Sequence, residues 1–294
     1  MDIFGIPIQA FLGQLLLGLV NGSFYAMLSL GLAVIFGLLG IVNFAHGALY
    51  MIGAYVAWIG LDRFGMNYWV ALIVAPIVVG ALGVVIERTL LRHLYRIDPI
   101  YGLLLTFGLA LIAEGIFRYY FGVSGESYPV PDLLAGATNL GFMVLPNYRA
   151  FVIVASLVVC LGTWYLIERT RLGAYLRAGT ENAKLVQAFG VNVPLMVMLT
   201  YGAGAGLAAM AGVLAAPIIQ VTPLMGSNLI IVVFAVVVIG GMGSILGSVI
   251  TGLLLGLVEG LTRVFYPEAS NVVVFVIMVI VLVLRPAGLF GKEA

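Results

Sequence analysis

Charge is what this sequence lacks most: Asp, Glu, Lys and Arg make up only 9% of its 294 residues, against 63% hydrophobic. A soluble domain of this length carries about a quarter charged residues, so too few remain to cover a water-facing surface. Thirteen basic and twelve acidic residues leave a net charge of +1, which excludes a basic field for nucleic acid and an acidic tail. The single cysteine, Cys160, stands in an apolar run, so neither an intrachain disulfide framework nor a cysteine metal cluster is available. Nucleotide and metalloprotease motifs are missing too: there is no GxxxxGK[ST], no GxGxxG and no HExxH. Gly122-Val123-Ser124-Gly125 matches the GxSG string of intramembrane serine proteases, but His46 and His93 both precede it, whereas that chemistry places its base on a later helix. No catalytic residue, metal or cofactor is expected. Met1 to Ile8 carry Asp2 and no Lys or Arg, so the apolar stretch that follows lacks the basic flank of a cleaved signal and is expected to stay in the mature protein.

What the chain has is long apolar runs, consistent with a mean hydropathy of +1.21. A membrane-spanning helix needs about 20 apolar residues. Such runs fall at Ala10 to Gly40, Ile41 to Leu61, Trp69 to Ile86, Ile100 to Phe121, Ala150 to Ile167, Leu195 to Ile219, Asn228 to Met242, Ile245 to Leu261 and Val272 to Leu284. They are continuously apolar rather than alternating, which selects helices over a barrel. The expectation is an all-α polytopic transmembrane bundle of about 8 to 9 segments, one domain over 1–294. Two places suggest broken or re-entrant helices: the long first run passing into Ile41-Val42-Asn43-Phe44-Ala45-His46-Gly47, and Gly240-Gly241-Met242-Gly243-Ser244. At membrane depth broken backbone is tolerated only inside protein or beside a wet cavity. An ordinary glycine-rich turn at the membrane face is the alternative.

Orientation follows from the retention of Lys and Arg on the cytoplasmic side. Arg88, Arg92 and Arg96, then Arg169, Arg171, Arg177 and Lys184, then Arg285 and Lys292 mark three inner segments, which places the amino terminus outside and the carboxyl terminus inside. Small residues recur at helical spacing in Gly18 and Gly22, Gly202 and Gly206, and Gly243, Gly247, Gly252, Gly256 and Gly260. They read as seams where helices approach closely within the chain, with a subunit interface as the alternative. Among the few ionisable residues in the runs, Glu114 with Arg118 and Glu259 with Arg263 stand four apart and read as paired anchors, a charge relay being the alternative. His46 with Asn43 could bind a polar solute or titrate, or simply be a hydrogen-bonded helix end.

The most informative polar segment is the inner loop 168–193. Glu181 to Phe189 suits a short helix that Thr180 could cap and Gly190 could end, with a broad apolar face of Ala183, Leu185, Val186, Ala188 and Phe189. It is expected to run rigidly into Leu195 onward. Such a helix either rests on lipid or docks in a soluble partner's groove.

Three ordered blocks resemble the inner-membrane permease subunits of bacterial ABC importers, most closely the LivH-type branched-chain amino acid permease family. They are Gly18 to Tyr55 with Val42-Asn43-Phe44-Ala45-His46-Gly47; Arg177-Ala178, Glu181-Asn182 and Gly190-Val191-Asn192-Val193 running into Gly202 to Gly212; and Gly240-Gly241-Met242-Gly243-Ser244 with Gly247. The resemblance implies a lipid-embedded channel subunit moving branched-chain or related amino acids inward by alternating access. Its partners would be a second homologous permease, two cytoplasmic ABC ATPases and an outside solute-binding protein. The inner loop would be the coupling helix, a role carried to Glu181, Asn182, Ala183, Gln187, Gly190 and Asn192. The general importer loop reads Glu-Ala-Ala before its glycine, whereas here Asn182 replaces one alanine and the glycine sits further on. The translocation pathway is expected beside Asn43 and His46 and beside Gly240, Gly241, Gly243 and Ser244. The competing class is a self-sufficient channel or ion-coupled secondary transporter using Glu114, His46 or Glu259.

Overall fold

In the computed structural model the protein is all-α apart from two short hairpins, and residues 2–3, 6–40, 42–95, 97–141 and 143–291 are described. Ile41 at the start of the second run, Arg96 and Lys292 among the inner-side charges, and Met1 in the leader reading lie outside the described residues. Every apolar run becomes a helix. They are α1 (Ile8–Leu39), α2 (Ala45–Phe64), α3 (Tyr68–Thr89), α4 (Pro99–Phe121), α5 (Asn147–Arg169), α8 (Val193–Ala215), α9 (Met225–Gly240), α10 (Ile245–Phe265) and α11 (Val273–Leu284). Between α5 and α8 the inner loop forms α6 (Arg171–Glu181) and α7 (Ala183–Ala188).

Among the described residues six helices, α1, α3, α4, α5, α8 and α10, are long and apolar enough to cross a membrane. The shorter α9 and α11 have 16 and 12 residues. At 1.5 Å per residue they reach about 24 and 18 Å, short of a hydrocarbon core about 30 Å thick. The first run is not broken internally: α1 continues through 32 residues, and the interruption follows it, at Gly40 with φ +62°. Polar residues at the starts fix the boundaries. Asn67 accepts the Trp69 N–H at 3.0 Å ahead of α3, and Asp98 accepts the Ile100 N–H at 3.0 Å ahead of α4, whose first residue is Pro99.

The chain gathers into two compact units, one of residues 1–29, 129–160 and 232–294, the other of 30–128 and 161–231. In the first, the glycine stripes of α1 and α10 face each other. A Cβ added to Gly18 would lie 2.5 Å from the Gly256 carbonyl oxygen, and one on Gly22 would lie 2.9 Å from that of Leu253. In the second, α8 is the centre against which α2 and α3 lie. Gly202 and Gly80 oppose each other, Gly206 meets Pro76, and Gly212 meets the backbone of Tyr50 and Ala54. The small-residue stripes are therefore intrachain seams, where backbones come close enough for dispersion to replace the hydrophobic force that lipid removes.

Candidate functional site

The first break is tied down by three polar residues drawn from distant parts of the second unit. Asn43 is 2% exposed, and its Nδ2 donates to the Tyr201 hydroxyl at 3.0 Å while Oδ1 has no hydrogen-bond partner among the described residues. The unwound Phe44 N–H donates to Thr106 Oγ1 on α4 at 3.2 Å. The Thr106 hydroxyl lies 3.0 Å from the Leu103 carbonyl and 3.3 Å from that of Val42. These bonds satisfy backbone that the helix ends leave open, which low-dielectric surroundings make costly to leave unpaired. His46 is fully buried two residues into α2, its N–H bonded to Asn43 O at 3.2 Å and its ring seated on Gly31, where a Cβ would come within 2.9 Å of Cε1. Asn43 and His46 are thus brought together. Thr106 and Tyr201 were not singled out from sequence, although a threonine and a tyrosine in the middle of apolar runs were the available signal.

The second break is a turn of the first unit. Gly241 and Gly243 adopt φ +100° and +86°, values open to glycine, and Ser244 caps α10 by accepting the Gly247 N–H on Oγ at 3.1 Å. Gly240 and Gly241 are buried by the segment after α11, where Leu289 N–H donates to Ile239 O at 2.8 Å and Phe290 N–H to Gly240 O at 3.2 Å. Gly243 is exposed. The two breaks belong to different compact units.

Both ionic pairs formed as spaced. Arg118 Nη2 meets Glu114 Oε1 at 2.9 Å, and Arg263 meets Glu259. Each carboxylate is filled further than the spacing revealed: Ser227 Oγ donates to Glu114 Oε2 and Tyr25 Oη to Glu259 Oε2, both at 2.6 Å. A carboxylate held on both oxygens is a poor proton carrier and a good anchor.

The inner segment departs from the expected single helix. Thr180 donates to Arg177 O instead of capping, and Glu181 ends α6 rather than starting a helix. The cap is Asn182, whose Oδ1 accepts the Leu185 N–H at 3.0 Å to begin α7. Asn competes well at this position and Ala does not, which gives the substituted alanine a physical reason. Gly190, at φ +84°, ends α7 as read, but the chain does not continue rigidly into α8. Asn192 starts α8 afresh, accepting the Leu195 N–H at 3.1 Å ahead of Pro194. Glu181, Asn182, Ala183, Gln187, Gly190 and Asn192 are all exposed along one contiguous stretch. Of the apolar face, Val186 turns inward at 9% exposure, whereas Leu185 and Phe189 stand out at 55% and 80%. Beside it, Tyr95 Oη donates to Glu87 Oε1 at 2.8 Å. Burial, then that carboxylate, pushes the Tyr95 phenol above its usual range and keeps it a donor.

Residues 14–282 match the family model described as branched-chain amino acid transport system / permease component. The chain is 33% identical to the high-affinity branched-chain amino acid transport system permease protein BraD of Pseudomonas aeruginosa, covering 97% of both chains. It is 30% identical to the corresponding LivH protein of Salmonella typhimurium over 96% of both. A more distant match, at 27%, is LivM of Escherichia coli, covering 90% of this chain and 67% of LivM. No solved structure matches. With the family model spanning most of its length and six of its described helices long and apolar enough to cross a membrane, the chain belongs to the branched-chain amino acid transport system permease family, as a multi-pass membrane transport subunit rather than an enzyme.

Proposed function

We propose that this chain, acting as one permease domain, is half of the membrane channel of an ATP-driven importer for branched-chain or related amino acids. Its likeness to both LivH and LivM supports a second, related permease as the other half. No nucleotide-binding motif stands in the sequence, which supports ATP hydrolysis on separate partners, two cytoplasmic ATPases. In this proposal a solute-binding protein outside the bacterial inner membrane delivers the solute. The positive-inside bias places the amino terminus outside and loop 168–193 in the cytoplasm. Asn43 and His46 border the path, which opens by rearrangement at the first break. Gly240, Gly241, Gly243 and Ser244 are the translocation residues proposed within the first unit.

The observation that carries this reading is the exposed apolar stub of α7. Two large apolar side chains, Leu185 within this six-residue helix and Phe189 at its end, stand 55% and 80% exposed on a loop holding several charges. A groove on a soluble partner would cover them. ATP-driven movement of that partner then acts through Glu181, Asn182, Ala183, Gln187, Gly190 and Asn192 on the start of α8, the helix against which α2 and α3 lie. The two carboxylates that the competing ion-coupled reading would use, Glu114 and Glu259, are each engaged on both oxygens. Extraction in mild detergent is expected to recover two ATPases and a second permease with this chain. Recovery of the chain alone, with solute transport by that preparation, overturns the proposal.

A further inference from the structure

At the junction of α3 and α8 a cavity of about 280 Å³ is lined by Glu87, Arg88, Arg92, Asn192, Pro194, Leu195 and Met198. Its chemistry is mixed in an ordered way. Glu87 is 2% exposed and accepts one neutral hydrogen bond, from Tyr95; among the described residues no cation stands within ion-pair distance. A buried carboxylate with so little compensation is costly unless something charged completes it. Arg88 and Arg92 are exposed and make no ion pair among the described residues, so their forks are free to take a carboxylate. Asn192 spends Oδ1 on its cap, which leaves Nδ2 as a further donor. The remaining wall, Pro194, Leu195 and Met198, is apolar.

We infer that this cavity is a binding site, on the inner side of the membrane, for a small zwitterionic α-amino acid with an apolar side chain. Glu87 takes the ammonium group, Arg88 and Arg92 take the carboxylate, and the α8 wall takes the side chain. A phosphate or nucleotide would face Glu87, a simple cation would face two arginines, and an apolar molecule would leave Glu87 buried and unpaired. The site shares Asn192 with the coupling stretch. An occupant therefore bridges the end of α3 and the start of α8, and product accumulating inside is expected to slow further uptake. The inference deepens the amino-acid reading above and rests on it for the side of the membrane and for the consequence.

The test uses the full-length chain in nanodiscs, without the solute-binding protein, and radiolabelled L-leucine as the probe. Saturable binding is expected, weakened at least tenfold in Glu87→Gln and in the double variant Arg88→Gln/Arg92→Gln, and retained in Gly115→Ala, whose added Cβ meets no atom within 4 Å. Isocaproate, which lacks the ammonium group, and isoamylamine, which lacks the carboxylate, are each expected to compete at least tenfold more weakly than leucine. The two arginines are exposed, so the double variant folds even where Glu87→Gln does not. Absence of leucine binding, equal binding in the arginine variant, or equal competition by isocaproate overturns the site. Uptake by the assembled transporter is read separately. Normal amino-acid uptake with unaltered leucine binding in the variants removes this site alone, whereas leucine binding without amino-acid uptake removes the functional reading and leaves the site.

Discussion

Replacing Gly212 with leucine is expected to abolish accumulation of folded subunit in the membrane, while Gly115→Ala leaves it intact. Gly212 sits in α8 where α2 crosses, and a Cβ there would overlap the Tyr50 carbonyl oxygen and come within 2.9 Å of the Ala54 nitrogen. Backbone cannot rotate aside as a side chain can, so two helices must separate along their length. Overpacking a well-filled core commonly costs about 1–3 kcal/mol, and a clash with backbone belongs at or above the top of that range. Against the 5–15 kcal/mol that typically holds a domain together, the loss is decisive. Gly115 on α4 has nothing within 4 Å of its would-be Cβ, so alanine there meets no atom and removes a helix-interior glycine. Size-exclusion profile and melting temperature in detergent separate the two. A Gly212→Leu protein that melts like the parent would show that α2 and α8 do not meet at this seam.

Gly190→Val is expected to leave the fold and the ATPase activity of the assembled transporter in place and to cut uptake at least tenfold. The turn between α7 and α8 needs φ +84° at this residue. Left-handed backbone costs an ordinary residue about 1–2 kcal/mol, and a β-branched one more. No atom lies within 4 Å of the added Cβ, so the penalty is conformational and is relieved by re-aiming α7 relative to α8. The partner would still grip α7, and its movement would reach α8 at the wrong angle. Gly190→Asn is the control, since asparagine tolerates the left-handed region, and it is expected to retain most uptake. Uptake and ATP hydrolysis measured together in proteoliposomes distinguish loss of coupling from loss of assembly. Normal coupled uptake by the valine variant would count against transmission through this turn.

Much of this was legible because membrane folding is governed by a few strong local rules. Continuous apolar length identified each of the membrane helices, and glycine spacing identified the seams at Gly18, Gly22, Gly252, Gly256 and Gly260 before any partner helix was known. Gly190 was readable as a stop. The division of the inner segment was also written locally, in Asn182 and in Asn192-Val193-Pro194, each a helix-start signal. It was overridden in reading by the apolar periodicity of 183–189, which suggested one helix with Thr180 at its head. What could not be read is tertiary. Asn43 meets Tyr201 across 158 residues and Tyr25 meets Glu259 across 234, and no local pattern specifies such pairs. The same holds for the Gly240–Gly241 turn, whose burial depends on a segment that returns from beyond α11.

ATP-driven import through this chain requires loop 168–193 to face the cytoplasm and to be held there by the ATPases. A single cysteine placed by Gln187→Cys in a Cys160→Ala background gives the most direct measurement, because Cys160 is the only native cysteine and is 1% exposed. Membrane-impermeant maleimide should label this site in inside-out vesicles and not in intact cells, and a short bifunctional reagent should join it to an ATPase subunit. Labelling from the outer face, or cross-linking to the external solute-binding protein, would contradict the account.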